Sequence, residues 1–138
     1  MGVAVTNRGS DMGQTTPMLE QIEKRTGVRP TELLIDGGYP GHDAIDAAAQ
    51  RGAVVYAPLP KPRQGDTRDP HLPRDDDSEA VATWRRRMAT DEAKVIYRER
   101  AATAETVNAD AKTHRGLDHM AVRGLDKVLG SASLFVLT

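Results

Sequence analysis

Short β-branched runs alternate with helix-like segments through the first 59 residues, and this alternation constrains the fold more than any other feature. The runs fall at 2–6, 31–36 and 53–59, and the second and third carry LLI and VVY. A proline, Pro17, opens the first helix-like segment and a glycine closes each of the two, as is typical of helix starts and ends. The order strand, helix, strand, helix, strand predicts an α/β fold with parallel strands joined by crossover helices.

The sequence changes character at about 58–77, where five of the eight prolines fall. Such a stretch predicts a long loop, and a long loop in a compact domain is usually functional or disordered. Ser78 and Thr90 then offer side-chain caps for two helices. The second helix is expected to run to about Thr113, before Gly116.

The length, amino-acid composition and net charge of the chain limit which classes of protein it can belong to. The chain has 138 residues, which suits one domain. It has no cysteine, so neither disulfides nor thiolate metal sites are available. No apolar run is long enough to cross a bilayer, and the N-terminus lacks the build of a signal peptide. We therefore expect a soluble cytoplasmic protein with no membrane partner. The net charge of −1 gives no argument for nucleic-acid binding.

One acid follows the second predicted strand. Asp36 ends an apolar run and precedes Gly37 and Gly38. Side chains at the carboxyl ends of parallel strands face the crevice where ligands bind, and the glycines would allow backbone or ligand to come close. The alternative is that Asp36 only begins a turn. From this stretch alone, the turn is the better interpretation.

A second acid lies on the last long predicted helix. At about 100° per residue, six residues share one face: Lys94, Arg98, Ala101, Glu105, Asn108 and Lys112. The neighbouring seam of Val95, Ala102 and Ala109 is expected to pack on the sheet. A carboxylate flanked by cations stays ionised, as a metal ligand must. An ordinary solvated face is the alternative, and helix geometry alone favours it.

The only tryptophan, Trp84, precedes three arginines, Arg85, Arg86 and Arg87. Base stacking is one interpretation of such a tryptophan, but a core anchor is the more frequent role. The arginines, which follow three aspartates, predict a solvated charged face.

Taken in order, these segments resemble the C-terminal catalytic part of bacterial insertion-sequence DDE transposases with a Tyr-Arg-Glu-Lys signature. The strand at 2–6, LLIDGGY, VVYAPLPKP, WRRRM and YRERAATAETVNADAK follow the order of that family. The signature falls on Tyr97, Arg100, Glu105 and Lys112, with two, four and six residues between them. RGLDHMAVRGLDKV, which begins at Arg115, is similar to the Arg-Gly-Leu ending of the family.

The resemblance implies a ribonuclease-H-like fold, a mixed sheet with flanking helices, and DNA transposition by metal-dependent strand cleavage and transfer. It places the second catalytic aspartate at Asp36 and the catalytic glutamate at Glu105, as ligands of two Mg²⁺ or Mn²⁺ ions. It implies DNA contacts, to transposon ends, from Tyr97, Arg100, Lys112 and Arg115. Hard oxygen ligands suit Mg²⁺, two ions activate the attacking oxygen and stabilise the leaving one, and nearby cations offset charge on the phosphate.

The chain also departs from the family pattern. The first catalytic aspartate of the family lies on a strand before 2–6, so we expect that strand and that ligand to be missing. Asp11 follows the 2–6 run in a turn and is interpreted as a loop residue. Asp118 and His119 stand where more basic residues are expected. The sequence therefore predicts that 1–138 is a partial catalytic domain with an open sheet edge and little activity of its own.

Two other hypotheses remain open from the sequence. In the first hypothesis, the chain is a non-catalytic remnant that acts as an interaction module and binds DNA, a second copy or an intact transposase. Or it is a small α/β domain that only looks like the family, in which case the carboxylates of Asp36 and Glu105 are expected to lie far apart.

Overall fold

The structure is a computed structural model that describes Val5 and residues 12–37, 40–62, 64–116, 119 and 121–137, without the side chains of residues 107, 108, 115 and 135–137. The strand predicted at 2–6, apart from Val5, lies outside the described residues, as do Asp11, Gly38 and Asp118. Within the described residues, no helix is both long and apolar enough to cross a membrane.

Helices dominate the part of the chain that the structure describes. The elements in chain order are α1 (Thr15–Thr26), β1 (Glu32–Leu34), α2 (His42–Gln50), β2 (Val54–Tyr56), α3 (Glu79–Ala89), α4 (Asp91–Arg100), a π-helical turn (Ala101–Glu105), α5 (Thr106–Arg115) and α6 (Leu125–Leu137). The predicted order of helices and strands from 15 to 115 is confirmed, and so is the mixed α/β class.

The two strands form a parallel pair with α2 as the crossover between them. Glu32 is opposite Val54 and Leu34 is opposite Tyr56. The pairing extends one residue further, because the Ile35 N–H donates to the Tyr56 carbonyl at 3.1 Å. In the described residues the sheet has these two strands, and both are parallel as the alternation of elements predicted.

Two side chains of helix α3 bind the outer edge of β2. Trp84 Nε1 donates to the Ala57 carbonyl at 3.1 Å, and Arg87 Nη1 donates to the Val55 carbonyl at 3.3 Å. Both carbonyls point away from β1, where another strand would otherwise bind them. Side chains of α3 therefore bind two carbonyls on the outer edge of β2.

The core lies between the sheet and helices α1 to α4. Its buried members are Leu19, Ile45, Ala48, Ala53, Val55, Tyr56, Ala57, Val81, Trp84, Met88 and Ala93. Trp84 has only 1% of its surface exposed, so the predicted role of core anchor is confirmed and base stacking by this ring is excluded. Its indole N–H is satisfied by a backbone carbonyl, as a buried tryptophan requires.

The proline-rich segment is fastened to α3 by a buried ion pair. Arg85 Nε lies 2.6 Å from Asp77 Oδ2, and the two side chains are 4% and 0% exposed. Arg85 Nη1 also donates to the Pro70 carbonyl at 3.0 Å. The prediction of a solvated face was therefore wrong for Arg85, because the loop folds over it and supplies a compensating carboxylate. Arg86, the next residue, is exposed as predicted.

The electrostatics of this pair favour the charged carboxylate. Burial raises the pKa of Asp77, but the hydrogen bonds from Arg85 and from the Arg74 N–H, together with the charge of Arg85, outweigh it. The net result is a pKa below the ordinary value of 3.8. Asp77 therefore carries its charge in the folded protein and neutralises the buried guanidinium.

The predicted caps of α3 and α4 are confirmed. The Ser78 hydroxyl accepts from the Val81 N–H, and the Thr90 hydroxyl accepts from the Ala93 N–H, each at 3.2 Å. Ser78 also donates to a carboxylate oxygen of Asp46, which ties the start of α3 to α2. Each cap satisfies an N–H group that the first helical turn would leave unpaired.

Glycines end two helices where the sequence predicted. Gly27 and Gly116 both have φ of 70°, the left-handed conformation that closes a helix without a Cβ clash. The start of α1 was predicted less well, because the helix begins at Thr15, two residues before Pro17.

Candidate active site

One arginine joins the two acids that the sequence analysis singled out. Arg100 Nη2 lies 3.1 Å from Asp36 Oδ2, and Arg100 Nη1 lies 3.8 Å from Glu105 Oε1. The Arg100 side chain is 20% exposed, whereas the two carboxylates are 60% and 67% exposed. The two acids, 69 positions apart in the chain, therefore lie around one cationic group at the protein surface.

The end of β1 positions Asp36. One carboxylate oxygen, Oδ1, accepts from the Gly37 N–H at 2.7 Å, and the other faces Arg100. Asp36 thus binds the backbone that follows it, as the turn interpretation expects, and its second oxygen faces another element at the carboxyl end of a parallel strand. A Cβ at position 37 would lie 3.0 Å from Pro58 Cγ, so a larger residue there would require the proline ring to shift.

The π-helical turn positions Glu105. In a regular α-helix, residues five apart point about 140° away from each other, so Arg100 and Glu105 would not meet. The turn over Ala101–Glu105 has π-helical hydrogen bonding, in which each backbone hydrogen bond joins residues five apart. It therefore brings Glu105 back towards the side of Arg100. Such turns are frequent at functional sites.

Local side chains favour this irregular turn. The Thr103 hydroxyl donates to the Glu99 carbonyl at 3.0 Å, and the Thr106 hydroxyl donates to the Ala102 carbonyl at 2.8 Å. Hydroxyls that bind the carbonyl four residues back compete with the helix and bend it. The three alanines of this turn, Ala101, Ala102 and Ala104, offer little packing that would hold regular α-helical geometry.

The packing face predicted for this helix was wrong. Val95 is 57% exposed, and Ala102 and Ala109 are exposed too, so they do not pack on the sheet. Instead Ala93 is buried, and Ile96 and Tyr97 pack against the core. The larger apolar side chains, Ile96 and Tyr97, therefore face the core in place of the small ones.

The cation neighbours of Glu105 also differ from the predicted face. Arg98 is exposed, and Lys94 pairs with Asp91 at 3.0 Å. Arg100 takes the place next to Glu105, because the widened turn changes the phase of the helix between them.

Tyr97 completes the cluster. The guanidinium carbon of Arg100 lies 5.9 Å from the centre of the Tyr97 ring, within cation–π range. The pKa of Tyr97 is raised, chiefly by burial and further by the negative charges of Asp36 and Glu105, while Arg100 opposes the shift. The phenol therefore keeps its proton at neutral pH and presents an O–H beside the acids.

The other predicted DNA contacts are less fully described. Lys112 is exposed on α5, beyond the π-helical turn. Arg115 ends α5, but its side chain lies outside the described residues. The structure thus brings four of the six predicted site residues into one cluster: Asp36, Tyr97, Arg100 and Glu105.

The two carboxylates of the cluster are exposed, and the cluster lies outside two clefts that the described residues form. These clefts have volumes of about 290 and 160 Å³. The larger lies between α2, β2 and α3, the smaller between α1 and β1, and no member of the cluster lines either one. An open, charged site suits a polymer that lies across it better than a small molecule that must be enclosed.

The carboxylates of the cluster are possible ligands for a metal ion. No group of three or more histidine, cysteine or acidic side chains that could hold a metal occurs in the described part of the chain. Asp36 and Glu105 nevertheless offer two carboxylates already grouped around one cation. Mg²⁺ is commonly held by one or two carboxylates together with water and substrate phosphate. The pair therefore fits a hydrated divalent ion.

These features define an α/β domain with a surface site built from two carboxylates, an arginine and a tyrosine. The family model described as "Transposase DDE domain" matches residues 63–138, more than half of the chain, and the chain belongs to this family. The match contains Tyr97, Arg100, Glu105 and Lys112, and Asp36 precedes it. No similar curated protein and no similar solved structure was found.

Membership of the family settles the general class. DDE domains have a ribonuclease-H-like fold, serve DNA transposition, bind DNA and generally depend on divalent metal ions. The ribonuclease-H-like fold agrees with the mixed α/β architecture. A role in DNA transposition agrees with the exposed acidic site. The third alternative from the sequence, a domain that only looks like the family, is thereby excluded.

Proposed function

We propose that Asp36 and Glu105 are two of the metal-binding carboxylates of a transposase of the Tyr-Arg-Glu-Lys insertion-sequence type, which cleaves and transfers DNA strands. The observation that carries this proposal is the shared ion pairing of both acids with Arg100. That both acids face one guanidinium supports the proposal that they serve one cluster of Mg²⁺ or Mn²⁺. When bound, such ions activate the attacking oxygen and stabilise the leaving oxygen at the scissile phosphate.

The residues around the acids are proposed to hold the DNA. Tyr97 and Arg100 adjoin the carboxylates, so an O–H donor and a guanidinium are available at the place where a phosphate would sit. Lys112 is exposed on the next helix, and Arg115 follows it at the end of that helix. An arginine binds phosphate through two parallel N–H groups, and a lysine through a point charge.

We propose further that this chain alone has little or no activity. Two carboxylates hold a divalent ion weakly, and they leave the position of a second ion poorly controlled. Misplacement of the reacting groups by even about 1 Å costs on the order of 100-fold in rate. Weak metal binding without efficient strand cleavage is the behaviour expected of the described site.

The assignment is tested by metal binding and by cleavage, measured on the same preparations. Mn²⁺ binding is followed by the electron paramagnetic resonance signal of the free ion, and nicking of supercoiled plasmid is followed on gels. Asp36→Asn and Glu105→Gln should each abolish the binding seen with the unaltered chain. Glu92→Gln is the matched control, because Glu92 is an exposed acid on α4, the same continuous helix, outside the cluster.

Two results would count against the proposal. If both site variants bind Mn²⁺ as well as the unaltered chain does, the carboxylates are not metal ligands. If the purified chain nicks DNA efficiently with Mg²⁺, and Glu105→Ala abolishes the nicking, the metal site is supported but the claim of little activity is wrong.

A second candidate function is favoured by one observation on α6. Leu125, Leu129 and Leu134 are 47%, 38% and 65% exposed on this helix. Exposed apolar residues grouped on one element are typical of a protein interface. We propose, as the alternative, that the chain pairs with an intact transposase and disturbs its assembly. Co-elution with the intact enzyme and loss of its activity on mixing would favour this function, and separate elution with full activity would rule against it.

A further inference from the structure

We propose that Arg100 occupies the place of the metal ion, so that Arg100 and a divalent cation compete for Asp36 and Glu105. This inference rests on the proposed function, because it assumes that the two carboxylates are metal ligands. It concerns a property of the free protein that the proposed function does not include, namely that the site carries its own counter-cation.

The carboxylate oxygens themselves give the first argument. Asp36 Oδ1 is engaged by the Gly37 N–H, so Oδ2 is the oxygen left for a cation, and Arg100 Nη2 lies 3.1 Å from it. Arg100 Nη1 is 3.8 Å from Oε1 of Glu105, so the same guanidinium also faces the second acid. A metal ion bound between the acids would need the oxygens that Arg100 now faces.

The second argument is that Arg100 is held in this position. Its side chain is 20% exposed, far less than either carboxylate, and its guanidinium lies over the Tyr97 ring. A cation packed in this way loses little rotamer freedom when it pairs with an acid. This packing favours the paired arrangement over solvated conformations of the arginine.

The third argument is charge repulsion. A divalent ion and a guanidinium within a few ångströms of the same oxygens repel each other, and the repulsion grows as water leaves the site. Metal binding must therefore displace Arg100 from the carboxylates. The displaced guanidinium is then available to a DNA phosphate, which is the partner that the proposed function gives it.

The experiment measures Mn²⁺ affinity of the full chain without DNA, by the same resonance signal. Arg100→Gln keeps a polar side chain with N–H donors but removes the charge, and we expect it to bind Mn²⁺ about threefold more tightly, as loss of a partly exposed ion-pair partner allows. Arg100→Lys keeps the charge and should bind as weakly as the unaltered chain. Arg98→Gln is the matched control, because Arg98 is an exposed arginine two positions away on the same helix. Its affinity should be unchanged.

Each contrary outcome has a distinct meaning. If Arg100→Gln binds Mn²⁺ equally or more weakly, while Asp36→Asn and Glu105→Gln still abolish binding, the competition is refuted and the proposed function stands. If Arg100→Lys binds as tightly as Arg100→Gln, charge at this position does not compete, and the inference is again refuted. If Mn²⁺ binding never depends on Asp36 or Glu105, the inference and the metal assignment fail together.

Discussion

The pKa of the Tyr97 phenol depends on the other charged side chains of the cluster. Burial makes its ionised form costly, and the two neighbouring carboxylates add to that cost, whereas Arg100 reduces it. The net result is a raised pKa. Below the ordinary tyrosine pKa of 10.0, Tyr97 stays protonated in both the folded and the unfolded chain. As pH rises through the folded-state value, the folded chain holds this proton more tightly, and its stability falls.

The first prediction changes the charges around this phenol. Glu105→Gln removes a negative neighbour and should move the pKa of Tyr97 down towards 10.0, whereas Arg100→Gln removes the positive one and should move it up. Ultraviolet difference absorbance as a function of pH measures the shift. Tyr97→Phe supplies the signal of the two remaining tyrosines for subtraction. A pKa that moves in the same direction in both variants would contradict the charge arrangement described above.

Single residues also show what could and could not be predicted from the sequence. Asp36 and Glu105 were selected by their positions after a strand and within a signature, and both lie in the cluster. The pairing of Arg100 with Glu105 could not be predicted from regular helix geometry, because an interval of five residues turns side chains about 140° apart. The available signal was the pair of threonines, Thr103 and Thr106, whose hydroxyls can bind the carbonyl four residues back and bend a helix.

At the level of elements, the segment between β2 and α3 acts through one pair of side chains. Arg85 reaches from α3 to Asp77 and to the Pro70 carbonyl, so a loop with little apolar content is fixed to a core helix. The loop and the helix were both predictable from the sequence, but their attachment was not. A run of three arginines after three aspartates is as compatible with a solvated surface as with a buried pair, and the way α3 packs on the core decides which arginine is buried.

The second prediction concerns this pair. Asp77→Asn leaves the Arg85 guanidinium buried without a compensating charge, and we expect a loss of about 3–5 kcal/mol in the free energy of unfolding at neutral pH. Asp76→Asn, at the exposed neighbouring acid, should change it by less than about 0.5 kcal/mol. Urea denaturation followed by tryptophan fluorescence measures both, because the only tryptophan is buried in the core.

The same pair fixes the sign of a pH dependence. The pKa of Asp77 is lower in the folded chain than its ordinary value of 3.8, so its contribution is complete above that pH. It is lost as pH falls through the folded-state pKa, because the unfolded chain takes up the proton first. The stability difference between the unaltered chain and Asp77→Asn should therefore shrink below about pH 4. A difference that stays constant through this range would show that Asp77 does not act through its charge.

For the whole molecule, the order of elements was predictable because local signals agree with one another. A glycine ends α1, hydroxyl caps begin α3 and α4, and the apolar runs supply both strands of the parallel pair. How the last helices meet the rest of the molecule was not predictable, because it depends on long-range packing. The small residues expected to pack on the sheet are exposed, and α6 presents leucines to solvent.

The third prediction follows from this uneven burial. Helix α3 contributes Val81, Trp84 and Met88 to the core, whereas α6 exposes Leu125 and Leu134. Amide hydrogen exchange should therefore show α3 opening only with global unfolding, and α6 opening at a cost of roughly 0–2 kcal/mol. The measurement is made at several protein concentrations, because association that covers the leucines would protect α6 as concentration rises. Protection of α6 equal to that of α3 at the lowest concentration would contradict the prediction. It would mean that α6 is stabilised within a single chain by contacts other than those described here.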